Sequence, residues 1–456
     1  MTSALNIRYL ANFLVEAETP LKIGSGDAGL LTDALIMTDS NGLPLILGTS
    51  LCGVLRHSLL NSGVCTDEVN SIFGYQNDKS DDGAGSRLIV SNGFFTIEGN
   101  KAIEGFNRIK WHEEFFSRFK ALPLRQHAKI NHQGVADKEN HGKFDEQVIY
   151  KGTRFRFELE LAGTMQDKDN WGKMIEQISR PDFRIGGGTR KGFGKLKVVE
   201  VRSKVLDLNH DFELYLNKTA SVNDMTIYDK PYQPESKDTG QWKKYTLTLK
   251  PENTWLFGSG LGDEEVDMTP VYEDIIKWDD KNKPGFDKKK ILIPATSVKG
   301  AISHRVAYHY NKINGVFADE VDKISDFTGE NNDAVKTLFG CAKNSKYNID
   351  GQRGHVIISD VFIQNANTEK ILNHVAIDRF TGGALSGALF DEKVITQKNE
   401  IVLEFLLNTE HEAITQNIIQ SFESALDDII KGQLPLGGGT MRGHGCFTGK
   451  MEVSHE

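Results

Sequence analysis

Asp33 opens the string Asp33-Ala-Leu-Ile-Met-Thr-Asp39, between a Gly-Ser-Gly turn and the strand that follows it. Asp274-Ile-Ile-Lys-Trp-Asp-Asp280 repeats the six-residue separation of carboxylates later in the chain. A lone aspartate in a loop is commonly a turn former. A pair that recurs is a candidate for holding Mg²⁺ or another divalent cation, or for orienting a hydroxyl toward a phosphate. The second loop also offers Asp267, Glu273, Asp279 and Asp280 for the same role. The other recurring chemistry is cationic. Gly186-Gly187-Gly188-Thr-Arg190-Lys191-Gly-Phe-Gly returns as Gly437-Gly438-Gly439-Thr-Met-Arg442-Gly-His-Gly. Glycines let backbone N–H groups approach an anion closely, and the adjacent cations add charge. The alternative is a tight turn that packs a helix on a sheet. His127-Ala-Lys129-Ile-Asn returns as His374-Val-Ala-Ile-Asp, with His132 following in one copy and Arg379 and Phe380 in the other. Basic and aromatic groups at the end of an extended hairpin suit a wedge between bases, or else they are ordinary strand-end residues.

These strings belong to a duplication. Gly24-Ser-Gly26 returns as Gly258-Ser-Gly260, Thr49-Ser50-Leu-Cys52-Gly53 as Thr296-Ser-Val-Lys299-Gly300, and Phe73-Gly74 as Phe339-Gly340. Phe-Asp-Glu-x-Val-Ile occurs at Phe144–Ile149 and Phe390–Ile395. A period this long means two whole domains. Each copy reads as strand, helix, strand, strand, helix, strand, the split βαβ order of a ferredoxin-like α+β fold. Thr49 or Ser50, and Thr296 or Ser297, are the expected helix caps. A polar excursion, Ala128–Lys143 or Ala376–Ala388, precedes the third strand of each copy. The expected division is 1–205, a linker or irregular docking segment at 206–242, and 243–456.

The chain has 456 residues, 39% hydrophobic and 26% charged, and suits a soluble protein of two ordinary cores. No apolar run approaches a membrane span and no basic-then-apolar leader opens it, so a cytoplasmic protein without membrane contact is expected. Its four cysteines form no CxxC pair and its 13 histidines no HExxH, so buried reduced thiols are expected rather than zinc. A net charge of −9 disfavours an isolated nucleic-acid binder, although local patches decide binding.

Taken in order and in duplicate, these motifs resemble the repeat-associated mysterious protein (RAMP) superfamily of CRISPR systems. More narrowly, the chain resembles a fusion of two backbone subunits of a type III effector. The resemblance implies two RRM-like palms that hold guide CRISPR RNA, each with a hairpin thumb that displaces one guide nucleotide. It implies single-stranded target RNA and other effector subunits as partners, and metal-dependent cleavage at the aspartate before the helix-entry strand. That position matches Asp33 and, across a longer loop, Asp274. The guide contacts implied are Ser50, Arg56, Lys299, Arg190, Lys191 and Arg442, with the glycine strings and thumb residues beside them. Cys52 departs from the lysine that Lys299 keeps, and Lys22 stands where the other copy has Leu256 or Phe257. A non-cleaving scaffold and a metal-independent guide-processing nuclease are the alternatives.

Overall fold

The computed structural model describes residues 5–29, 32–77, 81–131, 133–135, 142–234, 240–343, 350–363, 369–396 and 398–455. The first domain is built on β1 (Ile7–Ala17), α1 (Gly48–Asn61), β2 (Leu88–Val90), a hairpin of β3 (Leu124–Ala128) and β4 (Lys143–Gln147), β5 (Arg154–Gly163), α2 (Lys168–Ile178) and β6 (Leu196–Asp207). Antiparallel pairing puts its sheet in the order β6-β1-β5-β2. Alternation along β5 sends Phe155, Phe157, Leu159 and Leu161 into the core beneath α1 and α2, and all four are fully buried.

The second domain repeats this with β7 (Trp242–Pro251), β8 (Tyr272–Trp278), β9 (Pro284–Ile293), α3 (Ala295–Ile313), β10 (Val356–Ile358), a hairpin of β11 (Glu369–Ile377) and β12 (Ala384–Ile395), β13 (Ile401–Asn408), α4 (Gln416–Ile430) and β14 (Phe447–His455). Its sheet runs β10-β13-β7-β14. Both sheets therefore have the ferredoxin-like arrangement; the second polar excursion is the end of a β-hairpin, and the first is flanked by the paired strands β3 and β4, with residues 132 and 136–141 outside the described residues.

Two expectations need correction. The helices are not capped by Thr49, Ser50, Thr296 or Ser297, because the helices start ahead of them, at Gly48 and Ala295. The first helical N–H is taken from across the sheet instead: Asn92 Oδ1 accepts Gly48 N at 2.9 Å, and Asp360 Oδ1 accepts Ala295 N at 2.8 Å. The cysteines are all unpaired, but none is buried, and Cys65 is exposed. Of the two readings of the 206–242 segment, residues 208–234 take the docking one. They carry a short helix, Phe212–Leu216, and fold over the outer face of the first sheet, where Ile227 and Tyr228 bury Leu10 and Leu206. Asn12 Nδ2 donates to Val222 O at 2.9 Å, and Lys218 and Tyr228 both reach Glu158.

The two copies match at an offset of 234 up to Met37 and Val271, and at 247 from Leu45 and Leu292 through the helix to Leu59 and Val306. The difference is the long β8–β9 hairpin, an extension of the second domain that clamps the first. Ile276 N donates to Lys151 O at 2.8 Å and Trp278 Nε1 to Gly152 O at 2.7 Å. The Arg154 guanidinium lies 4.3 Å from the Trp278 ring centroid, and Phe286 packs on Phe115 and Tyr150. Beside the clamp Arg125 is buried between two carboxylates of the second domain. It donates to Glu273 Oε2 from Nε at 3.0 Å and from Nη2 at 2.6 Å, and to Asp360 through Nη1. Burial opposes the Arg125 charge, but Asp360 and Glu273 outweigh it and hold the guanidinium protonated.

Candidate nucleic-acid interface

Asp33 lies on an exposed loop beside thumb strand β4, and its Oδ2 accepts the backbone N–H of Asp145 at 3.0 Å. Ala34, the next residue, bridges to Glu146. In the second domain the same two contacts are made by Asp267 and Met268: Asp267 Oδ2 accepts Asp391 N at 3.0 Å, and Met268 bridges to Glu392. Asp267 therefore occupies the place of Asp33, and the expected pairing of Asp33 with Asp274 does not hold. Asp274 sits at an irregularity of β8, inside the extension that has no counterpart in the first copy. Its two oxygens are taken, Oδ2 by Arg118 Nη1 at 3.0 Å and Oδ1 by Lys289 N at 2.9 Å. It staples the clamp to the first domain, with both carboxylate oxygens already hydrogen-bonded.

Each thumb is anchored by a buried glutamate, the Glu of the duplicated Phe-Asp-Glu string. Glu146 meets Lys22 and has His127 Nε2 at 2.9 Å, close but off-line for a hydrogen bond. Burial pushes the Glu146 carboxyl up, yet the His127 and Lys22 contacts outweigh it and hold it down at about 2. Glu392 meets His374 at 2.8 Å, His444 at 2.9 Å and Arg442 at 2.6 Å, and its carboxyl is likewise held low against the effect of burial. His127 stacks on Phe144 and His374 on Phe390, at centroid distances of 4.9 and 4.7 Å. Lys191 covers Phe144 and Arg442 covers Phe390. Both histidines thus hold the thumb base. The duplicated Glu was the signal for this network, and sequence reasoning passed over it.

The glycine strings pack more than they cradle. Gly187 N donates to Lys22 O at 2.7 Å and Gly438 N to Leu256 O at 2.6 Å. A Cβ on Gly186 or Gly437 would come within 2.3 Å of those same carbonyls, so glycine is required there. Gly188 and Gly439 lie against Phe193 and His444 in the same way. Arg190 lies in the seam between the domains, where Nε donates to Gly354 O at 2.9 Å. Burial, with Arg353 and Arg184 nearby, brings its pKa down to about 9.

Arg56 is also committed, to Gly74 O at 2.8 Å and Asn70 Oδ1 at 2.5 Å. Ser50 lies half-buried in the first turn of α1. Lys299 enters α3 near Lys191 and Arg190 and donates to Phe339 O at 2.9 Å. Burial first, then these two cations, lowers its pKa to about 8. Lys129 pairs with Glu330 at 3.1 Å in an exposed contact across the seam. Arg379 and fully exposed Phe380 stand at the tip of the second thumb. His132 lies outside the described residues. The interface therefore brings together Asp33 or Asp267, the thumb and a cation of the glycine string in each copy, with Lys299 at the seam.

A family model of the RAMP superfamily matches residues 14–197 and 234–448. The chain belongs to the RAMP superfamily. Its two matched regions fall on the two ferredoxin-like domains, so this is a tandem RAMP protein. Membership brings the coarse role of an RNA-binding, CRISPR-associated protein that works with RNA and other subunits. No curated protein matches the chain. Among the described residues, no helix is long and apolar enough to cross a membrane.

Proposed function

We propose that this RAMP protein is a double backbone subunit of a type III CRISPR effector, holding guide RNA across both domains and cutting the paired target RNA beside each thumb. The observation that carries the reading is the repeated carboxylate: Asp33 and Asp267 each hang from the thumb strand by one oxygen, on exposed loops. Among the described residues no three His, Cys, Asp or Glu side chains converge to hold a metal alone. Mg²⁺ does not require that. It binds through one or two carboxylates and completes its shell with water and phosphate oxygens. Oδ1 of Asp33 or of Asp267 fits that demand, with target RNA supplying the rest. Held there, a divalent cation would supply charge stabilisation to the phosphate being cleaved. The chain's own part is position. The anchored thumbs kink the guide–target duplex, so that a 2′-hydroxyl lies in line with its own phosphorus. The 2′-hydroxyl gives its proton to water as its oxygen bonds phosphorus, the bond to the 5′-oxygen breaks, and the departing oxygen takes a proton from water.

The test is to recover the chain with its bound RNA and add labelled complementary RNA. Two Mg²⁺-dependent cuts, each leaving a 2′,3′-cyclic phosphate and a 5′-hydroxyl, are expected. Guide protection without cleavage would establish the scaffold reading, and cleavage that survives EDTA would establish the guide-processing one.

A further inference from the structure

Among the described residues, the buried arginines outside the seam cleft all meet a carboxylate: Arg125 meets Glu273 and Asp360, Arg154 Glu16, Arg156 Glu200 and Arg180 Asp182. Arg184 is the exception. It is 4% exposed, and its Nη2 donates to Ser359 Oγ at 2.8 Å rather than to an anion. Nε of Arg184 and Nη1 of Arg190 are buried and meet no acceptor among the described residues. Arginine is rarely buried without a counter-charge, and a buried N–H calls for an acceptor.

Both arginines line a cleft of about 520 Å³ between the domains. One wall is the second half of α1, from Gly53 to Asn61. The other is the start of β7, the approach to β10, and the end of β13 with the residues after it. A third guanidinium, Arg353, stands exposed in the same cleft. Two carboxylates line it as well, exposed Glu410 and Asp182, and Asp182 is already held by Arg180 at 2.9 Å. The His355 and His411 rings lie with centroids 4.0 Å apart. Burial first, then His411, Arg190 and Arg353, push His355 down to about 4, so its ring is neutral beside these cations.

We infer that this cleft binds a mononucleotide, with its phosphate on Arg184, Arg190 and Arg353. A phosphate brings the missing negative charge and several acceptor oxygens, which guanidinium groups match in pairs. The cleft has the size of a small-molecule site and is larger than a bare phosphate needs. The carboxamides of Asn61 and Asn408 can bond a base edge, and the histidine pair offers a face for stacking. Guide RNA is not the occupant. Of the guide contacts that the sequence implies, only Arg190 lines the cleft, and no thumb residue does. Asn61 stands about 16 Å along α1 from Ser50.

The test is calorimetric titration of the intact chain, RNA-loaded and RNA-free, with each 5′-ribonucleoside monophosphate, each nucleoside and inorganic phosphate. Saturable binding of one monophosphate per chain is expected in both forms, about tenfold or more tighter than inorganic phosphate, with the nucleoside undetected. Arg353→Gln should lower that affinity about tenfold or more, the scale of one charge-assisted contact, and leave the unfolding midpoint of the ligand-free chain unchanged. Asn61→Asp places a carboxylate in the cleft and should weaken binding likewise, which keeps the test decisive if Arg353→Gln fails to fold. Absence of monophosphate binding, equal affinity for inorganic phosphate, an affinity that neither variant changes, or displacement of the monophosphate by short single-stranded RNA overturns the inference. Failure to recover guide RNA counts against the proposed function alone, because the RNA-free chain still reports on the cleft.

Discussion

Asp267 accepts the backbone N–H of Asp391 at 3.0 Å, and Asp33 accepts that of Asp145 at the same distance. The two carboxylates are thus one structural position written twice, each fixed to the thumb whose placement it must share. Thirteen residues inserted after that position in the second copy became the β8–β9 clamp, which includes Asp274.

The seam should depend on Arg125. Arg125→Ala leaves Glu273 and Asp360 buried without their counter-charge, a loss of about 3–5 kcal/mol for a broken buried pair. Chemical denaturation should show the lower midpoint, and limited proteolysis should show cleavage near residues 208–240. An unchanged midpoint would mean that the apolar clamp carries the seam alone.

Guide affinity should fall as pH rises through about 8. Burial and the neighbouring cations Lys191 and Arg190 lower Lys299 to about 8, and a phosphate favours its charged form. Affinity should therefore be level below that pH and weaken above it. Lys299→Gln should flatten the profile between pH 7 and 8.5 and reduce the salt slope by about one. Filter binding of guide RNA at graded pH and salt reads both. The same fall in the variant would place the titrating group elsewhere.

Acid should loosen the first thumb through Glu146. Its folded pKa, about 2, lies below the ordinary 4.5. Its stabilisation is therefore complete above 4.5 and is lost as pH falls through about 2. Glu146→Gln should unfold at lower urea than wild type at pH 7 and show a shallower loss across pH 4.5 to 2. Parallel acid slopes for the two proteins would remove Glu146 from the account.

Much of the fold was legible because duplication doubles every weak signal. The Phe-Gly pair, the glycine string and the alternation along β5 and β13 each recur, and they fall on matching elements. Asp274 was misread for a physical reason. Two carboxylates six residues apart looked equivalent, but matching spacing inside a loop does not fix which residue pairs with the thumb. The backbone bonds of Asp145 and Asp391 do. The arginines at 56 and 190 show the other limit. A basic residue at a helix start or beside glycine reads as a phosphate contact, whereas only the folded chain reveals that Arg56 holds the Phe-Gly turn and that Arg190, with Arg125 and Arg184, holds the second domain. The covering role of residues 208–234 was hidden as well, because polar, proline-bearing sequence does not announce which sheet face it covers.

The most direct test compares three single variants in the RNA-loaded complex with labelled target RNA and Mg²⁺. Asp33→Ala should erase one cut and Asp267→Ala the other, each slowing its own site by on the order of 100-fold or more, the scale of losing one transition-state charge stabiliser. Asp274→Ala should leave both cuts at near wild-type rates, because that side chain only pairs with Arg118 and Lys289. Guide RNA recovered with each variant, sized and quantified, should be unchanged. Loss of a cut in Asp274→Ala while Asp267→Ala keeps both would contradict the assignment. Two intact cuts in both Asp33→Ala and Asp267→Ala would contradict catalysis at the thumb-anchored carboxylates altogether.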